Sequence, residues 1–226
     1  MNTIQNKGLQ VKEGRTELTV PHQGKELTFI HPQYGPNTYV NVKSSIEQAG
    51  LTTPTLAQTV SLVHAAFYSD DKYSTEIQKF MKSNWLWGFT GTLYVPNKGA
   101  YIQDHPAIRN GMPFMEQSDL VKKLESNDPT VRFVPFGFKT ESMSSLELAK
   151  NVYVQALVGQ EGAEQLAEIA DKHGKKPYLW SLRSTDEPTT RVSALYSYWS
   201  DGRRLSVSGY VHGSSDDGGC AFGVRP

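Results

Sequence analysis

The sequence predicts an α+β fold, with helices spread through the first three quarters of the chain and an antiparallel sheet closing it. Three observations carry that expectation. Apolar residues recur at helical spacing, as at Leu56, Val60, Val63 and Phe67. After His173 the composition changes to short alternating runs rich in aromatic and β-branched residues. Clusters of Gly, Pro, Asn and Asp punctuate the runs, and no internal repeat or low-complexity tract interrupts them. With 226 residues, 38% of them apolar, the chain can bury a core as a single domain, 1–226. Within it, residues 1–43 read as N-terminal strands, 44–176 as a scaffold of helices and strands, and 177–226 as a C-terminal sheet.

Taken in order, residues 17–20 and 26–30 are short extended runs, each stopped by a breaker, Pro21 and His31-Pro32. Thr53-Pro54 resembles an N-cap followed by proline at the first helical position, opening an amphipathic helix through Phe67. A shorter helix carries Ile77, Phe80 and Met81. Residues 85–89, 92–95 and 100–103 read as three strands, the last two separated by the turn cluster at 96–99. Ser118 is expected to cap a helix holding Leu120, Val121 and Leu124, which Asn127-Asp128-Pro129 stops. Residues 132–138 form an irregular apolar strand. Ser144 or Ser145 caps a helix through Lys150, and 161–173 forms another that Gly174 ends. Strands follow at 178–183, 191–198, 204–210 and 220–225, with Asp201-Gly202 as a hairpin turn and 213–219 as a loop.

Composition removes several function classes. Twenty-three basic and 23 acidic side chains cancel, so no global field draws in nucleic acid or anionic membrane, and neither is expected as a partner. The N-terminus has no apolar signal core and no stretch nears the roughly 18 apolar residues of a membrane span, so a soluble chain is expected. A single cysteine, Cys220, excludes an internal disulfide and a Cys-based zinc site; it reads as a small buried apolar residue, with no histidine placed to activate it. There is no phosphate-cradling glycine loop, His-x-x-x-His pair or Gly-x-Ser-x-Gly elbow, and His64 within an apolar helix reads as a satisfied core or boundary histidine. Asp216 and Asp217 sit in a Gly-rich turn that could offer carboxylates to calcium, but calcium takes six to eight oxygens. No cofactor, metal site or catalytic residue is expected.

Trp180-Ser-Leu-Arg-Ser184 and the ending Ala221-Phe-Gly-Val-Arg-Pro226 resemble the closing strands of C-type-lectin-fold proteins of the formylglycine-generating-enzyme type. The resemblance implies that these strands belong to the sheet framing a ligand-binding face, with Trp180 and Arg225 buried or paired. The oxidation chemistry of that family uses cysteines in pairs, which this chain lacks. A narrower resemblance is to the variable proteins of diversity-generating retroelements. In those elements adenine rewriting turns Asn codons into any codon ending in a pyrimidine, so Lys, Glu, Gln and Met do not result. Residues 193–226 contain none of the four, whereas 45 of the preceding 192 residues are of those types. At that frequency roughly eight would be expected in the segment. Trp199 has no pyrimidine-ending codon and is read as an unvaried position.

The residues of this segment independently suggest a binding face. Alternation in residues 204–208 places Leu205 and Val207 toward the core and Arg204, Ser206 and Ser208 away from it. With Tyr196, Tyr198, Trp199, Asp201, Arg203, Tyr210 and His212, and with Ser214 and Ser215 of the following loop, they make a group rich in Tyr, Trp, Arg and Ser, the composition of a paratope. The expected function is recognition of a protein or cell-surface ligand by a virus or microbe. A formylglycine-generating-type enzyme or its degenerate descendant, and a calcium-dependent carbohydrate-binding lectin, are the alternatives.

Overall fold

A computed structural model describes residues 10–11, 17–197, 202, 204–212 and 218–226. The elements are β1 (Gln10–Val11), β2 (Glu17–His22), β3 (Lys25–Asn37), α1 (Tyr39–Gln48), α2 (Leu56–Phe67), α3 (Lys72–Phe80), β4 (Trp85–Val95), β5 (Gly99–Asp104), β6 (Ala107–Arg109), β7 (Met112–Phe114), α4 (Gln117–Glu125), β8 (Val131–Pro135), β9 (Glu141–Ser142), α5 (Ser145–Ala149), α6 (Val152–His173), β10 (Tyr178–Trp180), β11 (Thr189–Tyr196), β12 (Ser206–Val211) and β13 (Gly219–Val224). The α+β class holds. The sheet is mixed: β13 pairs with β4, and β10 with β12, in parallel, and the other pairings are antiparallel.

Strand β4 organises the molecule. One edge pairs with β11 along most of its length; the other pairs first with β13 and then with β5, which continues to β8. The two expected strands at 85–89 and 92–95 are therefore one. Gly91, between the two expected strands, and Gly88, inside the first, flank a bulge where the β4–β11 register shifts, and the Ser193 hydroxyl closes it by donating to the carbonyls of Gly88 at 3.0 Å and Thr90 at 2.9 Å.

Both faces of this sheet are covered. Leu86 and Tyr94 of β4, Leu195 of β11 and Val207 of β12 join the main core with α2 and α6, through Val60, Val63, Leu157 and Leu166. Trp87 and Phe89, offset by one residue from Leu86, pack with Tyr39, Val42 and Ile46 of α1 in a second core. A third cluster, around Leu93, Tyr101 and Leu120, seats α4 on β5 and β8.

Local chemistry fixes the helix ends. Thr55, not Thr53, caps α2: its hydroxyl accepts from the Gln58 amide while the Gln58 side chain accepts from the Thr55 N–H, a reciprocal capping box. Asp71 caps α3 and Ser144 caps α5 in the same reciprocal way with Glu147. Ser118 does not cap α4, whose N-cap position is Glu116 without a side-chain cap. Helix α6 begins at Val152, earlier than expected, behind an Asn151 cap, and breaks at Gly159 (φ 75°, ψ 171°) before the expected 161–173 portion; Gly174 ends it in the left-handed conformation. No helix of the described residues is long and apolar enough to cross a membrane.

A candidate binding face built on β11 and β12

Strands β11 and β12 pair antiparallel, setting Ala194 opposite Ser208, Leu195 opposite Val207 and Tyr196 opposite Ser206, with an irregularity between Val192 and Ala194. Leu205 and Val207 are fully buried toward the main core, as the alternation predicts. Ser206 and Ser208 depart from expectation: both are buried, at 0% and 2% exposure. Their side chains do leave the main core, but the second face of the sheet is itself covered at this point, so an outward direction does not mean exposure. The Ser208 hydroxyl is committed locally, accepting from the Tyr210 N–H at 3.2 Å.

Beneath β12 lies a buried hydroxyl network. Tyr94 Oη donates to the Gly209 carbonyl at 2.8 Å, so its other neighbours, Tyr153 Oη at 2.7 Å and Ser181 Oγ at 3.0 Å, donate to it. Tyr153 Oη then accepts from Thr92 Oγ1 at 3.1 Å. Burial pushes both phenols above their ordinary range, so they are neutral donors and fixed struts rather than acids or bases. Gly209 is buried directly over Tyr153: a Cβ there would overlap the phenol oxygen and lie 3.0 Å from Cζ.

The exposed part begins one residue later. Tyr210 is 38% exposed and carries the Arg191 guanidinium over its ring at 4.8 Å. His212 is exposed, and with Arg191 it lines a groove of about 690 Å³ whose opposite wall is the β6–β7 hairpin, bearing Arg109, Met112 and Phe114. A second stack lies farther back along the strand: Arg204 sits over Tyr178 at 4.1 Å, and Tyr178 packs on Trp180 with centroids 4.5 Å apart. Ser206, whose partner strand residue is Tyr178, and Tyr210 are separated by about 13 Å of extended chain.

The expected site residues are thus distributed. His212 lines the groove, and Tyr210 adjoins it through the Arg191 guanidinium over its ring; Arg204 is half-buried at the other stack; Tyr196 is half-buried against the second core. Tyr198, Trp199, Asp201, Arg203, Ser214 and Ser215 lie outside the described residues, as do Asp216 and Asp217. Trp180 corrects another expectation: it is 36% exposed, because β10 ends at that residue rather than at 183 and its buried partner position is Leu179. Arg225 is exposed but paired with the Glu17 carboxylate. The hairpin wall was missed in the sequence, although Asn110-Gly111 is a strong hairpin signal, with both residues at positive φ (52° and 72°). Arg191, one residue pair before the composition change, was likewise not singled out.

Groups that could carry chemistry are otherwise committed. His64 Nε2 donates to the Glu168 carboxylate at 2.9 Å inside the α2–α6 contact. Cys220 is buried, and burial pushes its thiol up to about 12, leaving it protonated and unreactive at neutral pH. Among the described residues no group of three His, Cys, Asp or Glu side chains is placed to hold a metal ion.

No protein-family model matches the chain, and no curated protein matches its sequence. A solved structure does: one described as showing the accommodation of massive sequence variation in Nanoarchaeota by the C-type lectin fold. It superposes with a TM-score of 0.57 at 14% identity, covering 86% of this chain and 96% of that one. The likeness establishes that this chain has a C-type lectin fold.

Proposed function

We propose that this chain is a recognition module in which a C-type lectin scaffold displays a sequence-diversified ligand-binding surface, as the variable protein of a diversity-generating retroelement. It acts by binding a protein or cell-surface epitope, without turnover, in the service of a virus or microbe. The observation that carries this reading is the division within and just after β12: Leu205, Val207 and Gly209 are packed into fixed structure, while His212 opens onto a groove beside Arg191, whose guanidinium lies over the exposed Tyr210 ring. Aromatic and arginine side chains at a concave surface are the residues that supply most binding energy at protein interfaces. The missing Lys, Glu, Gln and Met from residue 193 onward, the part that includes Tyr210 and the groove residue His212, fit adenine-directed rewriting of this part alone. The other arm of the comparison, the solved C-type lectin structure, is described as accommodating massive sequence variation, which supports the same use of the fold here.

The test is binding of the full chain to arrays of surface proteins and glycans, repeated with Tyr210→Ala/His212→Ala. The expected result is at least one specific ligand lost by the double variant at unchanged thermal stability. A ligand retained at full strength by that variant would place the site elsewhere.

A further inference from the structure

Two of the arginines among the described residues stand in the groove without the partners arginine usually takes. Arg132, Arg183 and Arg225 are each paired with a carboxylate, of Asp104, Glu141 and Glu17. Arg109 instead lies over the Phe114 ring at 5.0 Å, and its side chain makes no hydrogen bond or ion pair among the described residues. Arg191 lies over Tyr210, gives one N–H to the Thr190 carbonyl at 2.8 Å, and keeps its Nε buried without a partner. An aromatic face holds a guanidinium flat and strips part of its hydration while leaving its in-plane N–H donors open, which is the state in which arginine best takes a carboxylate by two parallel hydrogen bonds. Glu187, exposed, is the one acidic residue among those lining the groove.

Between them the walls are apolar. Met112 and Phe114 are 47% and 37% exposed, large for side chains of their kind. A bare anion would leave them uncovered, and a neutral sugar would offer no carboxylate to the guanidinium groups. An acidic residue next to an aliphatic or aromatic one satisfies both the guanidinium groups and the apolar wall. The volume, about 690 Å³, lies within the usual span of ligand clefts.

We propose that the groove between the β6–β7 hairpin and β11–β12 binds an acidic peptide segment of a protein ligand, with Arg109 and Arg191 holding its carboxylate and Met112 and Phe114 its neighbouring apolar side chain. This rests on the recognition reading above and deepens it. All four residues precede position 193, so they belong to the part of the chain with ordinary composition, whereas Tyr210 and His212 belong to the part without Lys, Glu, Gln or Met. The hairpin side supplies an anchor common to every variant, and β12 supplies the discrimination between ligands.

The experiment is to pan a random-peptide phage library on the immobilised full chain and measure the enriched peptides, synthesised with a fluorophore, by anisotropy against the parent and against Arg109→Gln, Arg191→Gln, Met112→Ala and Tyr210→Ala/His212→Ala. All these side chains are exposed or line the groove, and circular dichroism melting checks that each variant is folded; Arg191→Lys, which keeps the charge but not the fork, serves should Arg191→Gln unfold. The expected result is enrichment of peptides with Asp or Glu beside an apolar residue, weakened about tenfold by each arginine variant, as loss of one charge-assisted contact implies. Failure to enrich such peptides, enriched peptides indifferent to both arginine variants, or displacement by inorganic phosphate at the concentration that a free acidic peptide requires, overturns the proposal. If indifferent peptides still lose binding in Tyr210→Ala/His212→Ala, the recognition reading stands without the acidic anchor; if they bind that variant as well, both fall.

Discussion

Replacing Gly209 with alanine should destabilise β12 from below. A methyl group at 209 would overlap the Tyr153 hydroxyl, and Tyr153 has nowhere to go: it is fully buried, stacked on Phe138 at 4.5 Å and bonded to Tyr94 and Thr92. Overpacking of a tight core costs about 1–3 kcal/mol. Moving the phenol far enough to relieve it breaks its two hydrogen bonds, each worth about 1 kcal/mol net. The combined loss is about 3–5 kcal/mol, which for a chain of this size lowers the melting temperature by about 10–15 °C. The assay is urea and thermal unfolding of Gly209→Ala, Tyr153→Phe and the double variant. Tyr153→Phe alone should cost about 1–2 kcal/mol by leaving Tyr94 and Thr92 short of a partner. The double variant should cost less than the sum of the singles, because removal of the oxygen opens the space the methyl needs and both changes forfeit the same hydrogen bonds. Gly209→Ala melting within 2 °C of the parent, or strict additivity, would refute the picture of β12 as a strand seated on fixed tyrosines.

Three further outcomes follow from the same geometry. Leu179→Ala, at a fully buried position, should cost about 2–5 kcal/mol in urea unfolding, and Trp180→Ala, at a position one third exposed, clearly less than the roughly 3–5 kcal/mol of a core tryptophan. Ser208→Tyr, a change that pyrimidine-ending codons allow, should destabilise by about 1–3 kcal/mol because the position is buried, while Tyr210→Ser should stay within about 1 kcal/mol; differential scanning calorimetry separates them. The Lys139 ammonium and the Ser144 N–H and hydroxyl hold the Glu147 carboxyl at about 2, below its ordinary 4.5, so on acidification the unfolded chain takes up the proton first. The stabilisation is fully present above about 4.5 and is lost as pH falls toward about 2, and Glu147→Gln should flatten the melting temperature across that window.

Much of this architecture is legible from local pattern, and the exceptions have physical causes. The α2 stripe, the Ser144 cap, the Gly174 stop and the inward pair Leu205 and Val207 depend on spacing within one element and are found where spacing puts them. Helix α1 is not legible locally, because its first turn holds the β-branched Val40 and Val42 and only Tyr39, Val42 and Ile46 are buried, so it reads as a continuation of the preceding strands. Strand β4 reads as two because Gly91, which marks a bulge, looks like a glycine that marks a turn, and only Ser193, more than 100 residues away, distinguishes it. At the candidate site, alternation gave the direction of Ser206 and Ser208 but not their burial, since nothing local reveals that the sheet is covered on both faces. Arg109, Met112 and Phe114 reach the groove through tertiary structure alone, and composition draws the eye to the far end of the chain instead.

The most direct measurement is sequencing of the gene's 3′ end and its flanking DNA across many members of the source population. A recognition face diversified on a fixed scaffold requires a near-copy of the codons for residues 193–226 beside a reverse-transcriptase gene, with the differences between copies confined to adenines of that near-copy. Among the described residues, variation should fall at Tyr210 and His212 and spare Val207 and Gly209, which the core holds. No second copy, or differences spread evenly along the chain and across buried and exposed positions alike, would contradict it.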